Sequence, residues 1–283
     1  MKARSLLAIA TLSLATTAYA AEGNFERNLS VNASPNVSVN TGSGNVHIKP
    51  GSDSQIHISG HVHSNSGWFG SDAESRVQQI VSNPPIVQNG NDITIGERHS
   101  NDLFRNISID YDITLPHASN ITAATGSGDM EIQGVGATLK AQTGSGNIRA
   151  HGIAGASTLG TGSGDIDFQQ TSPGDVRAET GSGNIVLHGL SGALKSSTGS
   201  GNIEIDGQPT SDWNISTGSG NVQLGLGSSA RFNLTADTGS GDVKVSQPIT
   251  MQGSLNRHHI SGVVNGGGPT IRANTGSGDI IIR

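Results

Sequence analysis

From residue 125 onward, apolar and polar side chains alternate in short bursts, and the bursts recur at a nearly fixed interval. Around each copy of the tetrapeptide Thr-Gly-Ser-Gly, the fifth residue after the Thr is Val46, Met130, Ile148, Ile166, Ile185, Ile203, Val222, Val243 or Ile280. The seventh is Ile48, Ile132, Ala150, Phe168, Leu187, Ile205, Leu224, Val245 or Ile282. Ahead of the Thr, the fourth residue back is Val37, Ile121, Leu139, Ser157, Val176, Leu194, Trp213, Leu234 or Ile271, and the second back is mostly Ala or Ser. A period of two puts these residues on one face of an extended strand. Each copy therefore predicts two short strands joined by a Gly-Ser-Gly corner.

The tetrapeptide occurs nine times, and from Thr125 the steps are 18, 18, 19, 18, 19, 21 and 37 residues. A fixed period in this range marks a repeat architecture, in which one unit cannot bury its apolar face alone and stacking creates a continuous core. The predicted fold is all-β: a right-handed parallel β-solenoid over 125–283 with 18–20 residues per rung. The step of 37 predicts one degenerate rung within 245–274. The chain ends at Ile280-Ile281-Ile282-Arg283, inside a predicted strand. An uncovered last strand would invite pairing, so self-association through an open C-terminal end is expected.

The residue after each tetrapeptide is always Asn or Asp: Asn45, Asp129, Asn147, Asp165, Asn184, Asn202, Asn221, Asp242 and Asp279. Stacked rungs bring equivalent residues within about 5 Å, where like charges repel. Asn both donates and accepts, so a structural corner ladder is expected. A degenerate rung would keep Asp242 and Asp279 apart.

Residues 21–124 are less regular and read as a β-rich cap on the solenoid. Alternation at Gln55–His63, Asp92–Ile95 and Ile107–Leu115 predicts strands. One helix is predicted near 71–81: Ser71 and Glu74 form a capping box, Ala73, Val77 and Ile80 have helical spacing, and Pro84-Pro85 ends it. Trp68-Phe69 between Gly67 and Gly70 is expected to pack under that cap rather than form a binding tip.

Composition narrows the class. Gly fills 41 of 283 positions, yet 18 of these lie in the nine corners, where a missing side chain permits sharp bends. Cys is absent, so no disulfide framework holds the fold. Residues 1–20 read as a signal peptide, with Lys2 and Arg4 before an apolar run and Ala18-Tyr19-Ala20 before the cut. Its removal takes away two cations and no acid, moving the formal charge from −6 to −8. That balance argues against nucleic acid or an anionic membrane as partner. No later segment is long and apolar enough to span a bilayer. An exported protein, periplasmic or secreted, is expected.

Several residues carry a resemblance: the signal peptide, Phe25-Glu26-Arg27, Ser66-Gly67-Trp68-Phe69-Gly70, the run from Leu103 to Tyr111, and the Thr-Gly-Ser-Gly-[Asn/Asp]-Ile repeats. Together they resemble the bacterial DUF4097 family of β-strand-repeat proteins, which bears an adhesin label. The resemblance covers essentially the whole chain after residue 20. It implies an extracytoplasmic β-solenoid and supplies no catalytic residues.

Three chemistries compete with a structural reading. Gly-Ser-Gly-Asp is reminiscent of calcium-binding nonapeptide repeats, but here the period is doubled and five of nine corners carry Asn, whereas calcium favours several charged oxygens. His57, His61 and His63 share one face of a predicted strand and could hold a transition metal, although no carboxylate lies near them in sequence. Glycan-cleaving β-helices need clustered carboxylates, and the outward columns show only a mild basic stripe, Lys140, Arg177 and Lys195. No cofactor is expected. The expected role is that of a non-enzymatic envelope adhesin or scaffold meeting a protein or glycan surface. The alternatives are a glycan-active enzyme on a β-helix scaffold and a periplasmic binding protein tied to envelope stress.

Overall fold

The computed structural model describes residues 21–64, 71–96, 102–251 and 256–283. The signal segment and Trp68-Phe69 lie outside these residues, as does the side chain of Ser71. The chain opens with β1 (Glu22–Ser30), β2 (Asn36–Ser43), β3 (Val46–Pro50) and β4 (Gln55–Ser64), then α1 (Ser71–Ser82). β5 (Ile86–Asn89), β6 (Asp92–Gly96) and β7 (Ile107–Leu115) follow. The repeats then supply strand pairs: β8 (Asn120–Ser127) with β9 (Met130–Gln133), β10 (Thr138–Ser145) with β11 (Ile148–Ala154), and β12 (Ser157–Ser163) with β13 (Ile166–Ser172). The series continues with β14 (Val176–Ser182) and β15 (Ile185–Leu190), β16 (Leu194–Ser200) and β17 (Ile203–Gly207), and β18 (Trp213–Ser219) and β19 (Val222–Gly225). Last come β20 (Phe232–Thr238), β21 (Val243–Val245), β22 (Ile249–Met251), β23 (His259–Val264), β24 (Thr270–Ser277) and β25 (Ile280–Ile282).

These strands form a parallel β-solenoid of two sheets. Sheet A runs β1-β4-β7-β3-β9-β11-β13-β15-β17-β19-β25-β21, and sheet B runs β22-β23-β20-β24-β18-β16-β14-β12-β10-β8-β2-β6-β5. Ten strands of each sheet are mutually parallel, which at ~4.8 Å per rung makes a stack about 43 Å long. The period-two columns do point inward. Val46, Met130, Ile148, Ile166, Ile185, Ile203, Val222 and Ile280 are fully or almost fully buried, as are the Leu, Ile, Ala and Trp residues facing them. Ser157, the polar exception in its column, is buried and donates to the Gly155 carbonyl at 3.5 Å.

The order of rungs in space departs from their order in the chain at both ends. At the C-terminal side, β24 lies between β18 and β20, and β25 lies between β19 and β21. Among the described residues of 245–274 there is no degenerate rung. The 37-residue step instead accommodates an excursion in which β23 runs antiparallel to β20 and β22 antiparallel to β23, before the chain returns to insert the final rung. The C-terminal strand is therefore hydrogen-bonded on both sides. It is not itself the open edge; at this end of sheet A the outermost strand is β21, which pairs with β25.

The N-terminal side repeats the device. β6 and β7 follow β2 and β3 in the chain but lie outside them in the stack, while β8 and β9 take the inner side. Antiparallel strands close this end: β5 on β6, then β4 on β7 and β1 on β4. The predicted helix forms, and its buried Ala73, Val77 and Ile80 join the core beside β1 and β4. Phe25 lies over Gly60, where an added Cβ would come within 2.1 Å of the ring. That pairing lets a strand glycine be covered by a cross-strand aromatic. No helix among the described residues is long and apolar enough to cross a membrane.

Candidate functional site

The corner residues form one continuous ladder, with a bond pattern simpler than amide stacking. Each side-chain Oδ1 accepts the backbone N–H of the corner residue on the next rung. Asp110 accepts from Asn45, Asn45 from Asp129, Asp129 from Asn147, Asn147 from Asp165, and Asp165 from Asn184. The series runs on through Asn184 to Asn202, Asn202 to Asn221, Asn221 to Asp279, and Asp279 to Asp242, with every distance between 2.6 and 2.9 Å. Only an acceptor is required, so Asn and Asp are equivalent here. Acceptance from backbone N–H groups engages one side-chain oxygen, Oδ1, of each corner residue.

The threonines form a second ladder behind the first. Each buried hydroxyl donates to the carbonyl of the second corner glycine on the preceding rung, for example Thr125 to Gly44, Thr161 to Gly146 and Thr275 to Gly220. The second glycine of each corner has φ between 139° and 154°, and a Cβ there would lie 2.0–2.2 Å from a backbone oxygen. The Thr, both Gly and the Asn or Asp of the motif are thus bound into rung-to-rung contacts.

Asp242 and Asp279 are direct neighbours, contrary to the spacing expected from a degenerate rung. Lys244 Nζ sits 3.1 Å from Asp279 Oδ2 and offsets the second charge. The hydrogen bond from the Asp242 N–H, then that from Lys244, holds the Asp279 carboxyl below its ordinary range. Two ladder ends were not foreseen. Asp110 supplies the first acceptor without a Thr-Gly-Ser-Gly of its own. At the other end His258 Nδ1 lies 2.8 Å from the Gly241 carbonyl, where the next threonine would stand. Only the alternation of the 107–115 strand hinted at Asp110, and nothing in the sequence pattern marks His258.

His57, His61 and His63 do share the outer face of β4, but each has its own neighbour. His57 Nδ1 is 2.8 Å from Asn28 Oδ1, His61 Nδ1 is 2.7 Å from Asn24 Oδ1, and His63 stands 3.7 Å from Asp110. The rings of His61 and His63 stack. Among the described residues no three His, Asp or Glu side chains are arranged to hold a metal ion. Elsewhere on sheet A, His47 lies between Asp112 and Glu131 at 3.4 and 3.2 Å, His151 is 2.9 Å from Asp167, and His188 pairs with Asp206.

The outer face of sheet B is different. Register places Ser38, Thr122, Lys140, Thr158, Arg177, Lys195, Asn214, Arg272 and Thr235 in one outward column, with no acid among them. A shallow groove of about 620 Å³ follows the column from Thr122 to Asn214 and is lined by Lys140, Arg177 and Lys195 together with Asp175 and Asp212. Beside it Glu179 receives Arg177 at 2.7 Å and Lys195 at 3.2 Å. Partial burial raises the Glu179 pKa, but hydrogen bonds and charge from Arg177 and Lys195 outweigh that and leave it lowered. The basic stripe was legible as a column; Glu179 was not, because the contact crosses rungs.

Two parallel sheets joined at Gly-rich corners, with antiparallel strands at both ends of sheet B and at the N-terminal end of sheet A, define an extended β-solenoid repeat protein. The family model Toastrack DUF4097 matches residues 34–283, and the chain belongs to that family. Similar solved structures include a putative adhesin from Bacteroides fragilis, at 14% identity and TM-score 0.45, covering 92% of this chain and 97% of that one. Another is a putative cell adhesion protein from Clostridium sporogenes, at 15% identity and TM-score 0.25, covering 92% and 99%. A third is a putative lipid binding protein from Parabacteroides distasonis, at 12% identity and TM-score 0.35, covering 91% and 96%. No curated protein matches the sequence.

Proposed function

We propose that the protein is an exported, non-enzymatic component of the bacterial cell envelope that presents a rigid β-face to a partner. The observation carrying this reading is the in-register outer surface of sheet B. Its side chains repeat at the rung spacing and are held by a backbone in which each corner is bonded to the next. Such a surface offers many equivalent contacts at fixed separation and little freedom to close around a substrate. Loops that could bring distant groups together are short at both edges of the repeats. The signal-like residues 1–20 support export, and the family's adhesin label agrees with surface presentation.

Fractionation of bacteria expressing the full chain tests the reading. The expected product is shortened at its N-terminus by about the length of a signal peptide and is recovered outside the cytoplasm. An unshortened cytoplasmic chain would overturn it. Release of product from any polysaccharide in a turnover screen would replace the non-enzymatic reading with the glycan-active alternative.

A further inference from the structure

We infer that β1, the N-terminal edge of sheet A, is the interface through which two copies of this chain pair as an antiparallel dimer. The two sheets leave four edge strands, β1 and β21 in sheet A and β5 and β22 in sheet B. β5, β21 and β22 are only three or four residues long, and short edge strands resist pairing. In β21 the Val243 N–H is also taken, by the Arg257 carbonyl. β1 runs for nine residues and contains neither Pro nor Lys, two residues that commonly blunt an edge.

The backbone of β1 fixes what can pair with it. The Ser64 N–H bonds the Ala21 carbonyl, and the Val31 N–H bonds the Ser54 carbonyl. Alternate residues from Ala21 to Val31 therefore turn their backbone groups to β4. Between them Glu22, Asn24, Glu26, Asn28 and Ser30 turn theirs to the open side. Among the described residues, only the Glu26 and Ser30 carbonyls meet a donor there, from the Arg27 and Gln88 side chains. A twofold axis perpendicular to sheet A brings these residues of two copies face to face and keeps both apolar faces on one side.

Charge selects the register. Glu26 opposite Glu26, or Glu22 opposite Glu26, would set like charges against each other, and Arg27 opposite Arg27 would do so on the inner face. The longest register free of all three pairs Glu22 with Asn28 and Asn24 with Glu26, each pair exchanging two backbone bonds, and centres the axis on Phe25. The amides suit this arrangement. Asn24 and Asn28 turn Oδ1 to His61 and His57, which leaves each Nδ2 to donate to a carboxylate of the second copy. The Phe25 ring leans away from the edge, over Gly60 and edge-on to Tyr111, so it does not obstruct the axis.

Arg27 supplies the remaining complement. It lies on the apolar side of β1, opposite Ile58, where a charge ordinarily discourages edge pairing. In this register the residue facing it is Gly23 of the second copy, which has no side chain. A Cβ at Gly23 would lie 2.9 Å from Val81 and 3.2 Å from Val77, so Gly23 sits beside the C-terminal half of α1, whose last turn holds no base. Arg27 of one copy thus reaches the negative end of the other copy's helix, where a cation is favourable. With both inner faces on one side of the joined sheet, the two B sheets turn outward in the same direction and double the surface proposed above. The pairing itself does not depend on that reading.

Sedimentation velocity of the purified protein over a range of concentrations tests the inference. A reversible species of twice the chain mass is expected. The amides of Glu22, Asn24, Glu26 and Asn28 should exchange with solvent more slowly at high concentration than at low. Glu26→Pro removes an N–H that faces the open side and no bond within the chain, and it should leave only monomer. Arg27→Glu should weaken association about tenfold, because it sets an acid at the negative end of a helix. The chain has no Cys of its own, so the register can be read by mixing Asn24→Cys chains with Glu26→Cys chains. Oxidation should link the mixture, since opposite residues in such a pair have Cα atoms about 5.5 Å apart, and should link neither variant alone. Monomer at every concentration, a dimer indifferent to Glu26→Pro, or Glu26→Cys chains that link to themselves would overturn the proposal. The Cys mixture reads the interface even where the proline variant fails to fold. A protein found outside the cytoplasm but monomeric would sink this inference and leave the surface-presentation reading standing; a cytoplasmic one would sink that reading.

Discussion

Between Thr125 and Gly225 every rung makes the same bonds to its neighbour; at the two ends none of the rungs does so in chain order. In the middle, a rung's corner oxygen, threonine hydroxyl and glycine backbone are complementary to copies of themselves. Self-complementarity of this kind has no internal stop. A stack built only from the repeat would expose strand edges on which further copies could grow. The ends supply the stop. At each of them a rung is inserted out of order, and antiparallel strands cover the terminal parallel strands of sheet B, β6 by β5 and β20 by β23; in sheet A β4 covers β7, while β21 forms the edge at the C-terminal side. The repeat provides length, and the irregular segments provide termination.

That contrast predicts the largest effect for a change that would be mild in a simple solenoid. Deleting residues 269–283 would remove only the last rung if rungs followed chain order. Here it removes β24 and β25 from between two other rungs. Hydrogen exchange should show residues 232–264 losing protection together with the deleted rung, while 120–207 stays protected. Continued protection of β20 would mean that β20 can close onto β18 and that the insertion is not needed for the cap.

A second substitution separates the corner from an ordinary turn. Gly183 has φ 150°, and a Cβ there would lie 2.0 Å from the Gly164 carbonyl oxygen, whereas Gly90 has φ 60° with open space around it. Gly183→Ala should destabilise by more than about 4 kcal/mol or prevent folding, because backbone must move against backbone in every adjoining rung. Gly90→Ala should cost only about 1–2 kcal/mol, the price of a left-handed conformation alone. Chemical denaturation of the two variants measures the difference. Similar losses would show that the corners tolerate displacement and that the stack is softer than its hydrogen bonds indicate.

How much of this was legible in the sequence follows the same division. The inward columns, the corners and the helix at 71–82 all rest on local periodicity, and each formed where that periodicity put it. The capping strands β1, β5, β22 and β23 were not foreseen, since their partners are set by long-range antiparallel pairing. The misreading of 245–274 has a single cause. A step of 37 residues equals two periods by length, but length does not distinguish an extra rung from an out-and-back hairpin. Asp242 beside Asp279 was the available clue. Their adjacency required either a separating rung or a cation, and Lys244, two residues after Asp242, is that cation. For the candidate surface, the basic column could be read from the repeat, whereas its groove and the Glu179 bridge arise only when rungs are stacked.

The smallest expected effect sharpens the comparison at the level of one carboxylate. Middle-rung acids such as Asp129 and Asp165 have Asn on both sides, while Asp279 has Asn221 on one side and Asp242 on the other. Its pKa is lowered by the Asp242 N–H and then by Lys244. A depressed folded-state pKa stabilises above the carboxyl's unfolded value, and that contribution is lost as pH falls through the folded value. Thermal melts taken from about pH 7 to about pH 2.5 should therefore show a shallower acid loss for Asp279→Asn than for the parent, because the amide keeps the acceptor without the titration. Lys244→Gln should lower the melting temperature at neutral pH, where it removes the cation beside the Asp279 carboxylate, and its effect should shrink as pH falls and that carboxylate takes up a proton. A parent and Asp279→Asn with parallel profiles would mean that the end of the ladder holds its aspartate no more tightly than an unfolded chain does, and that the Asp-for-Asn exchange along the column carries no electrostatic consequence.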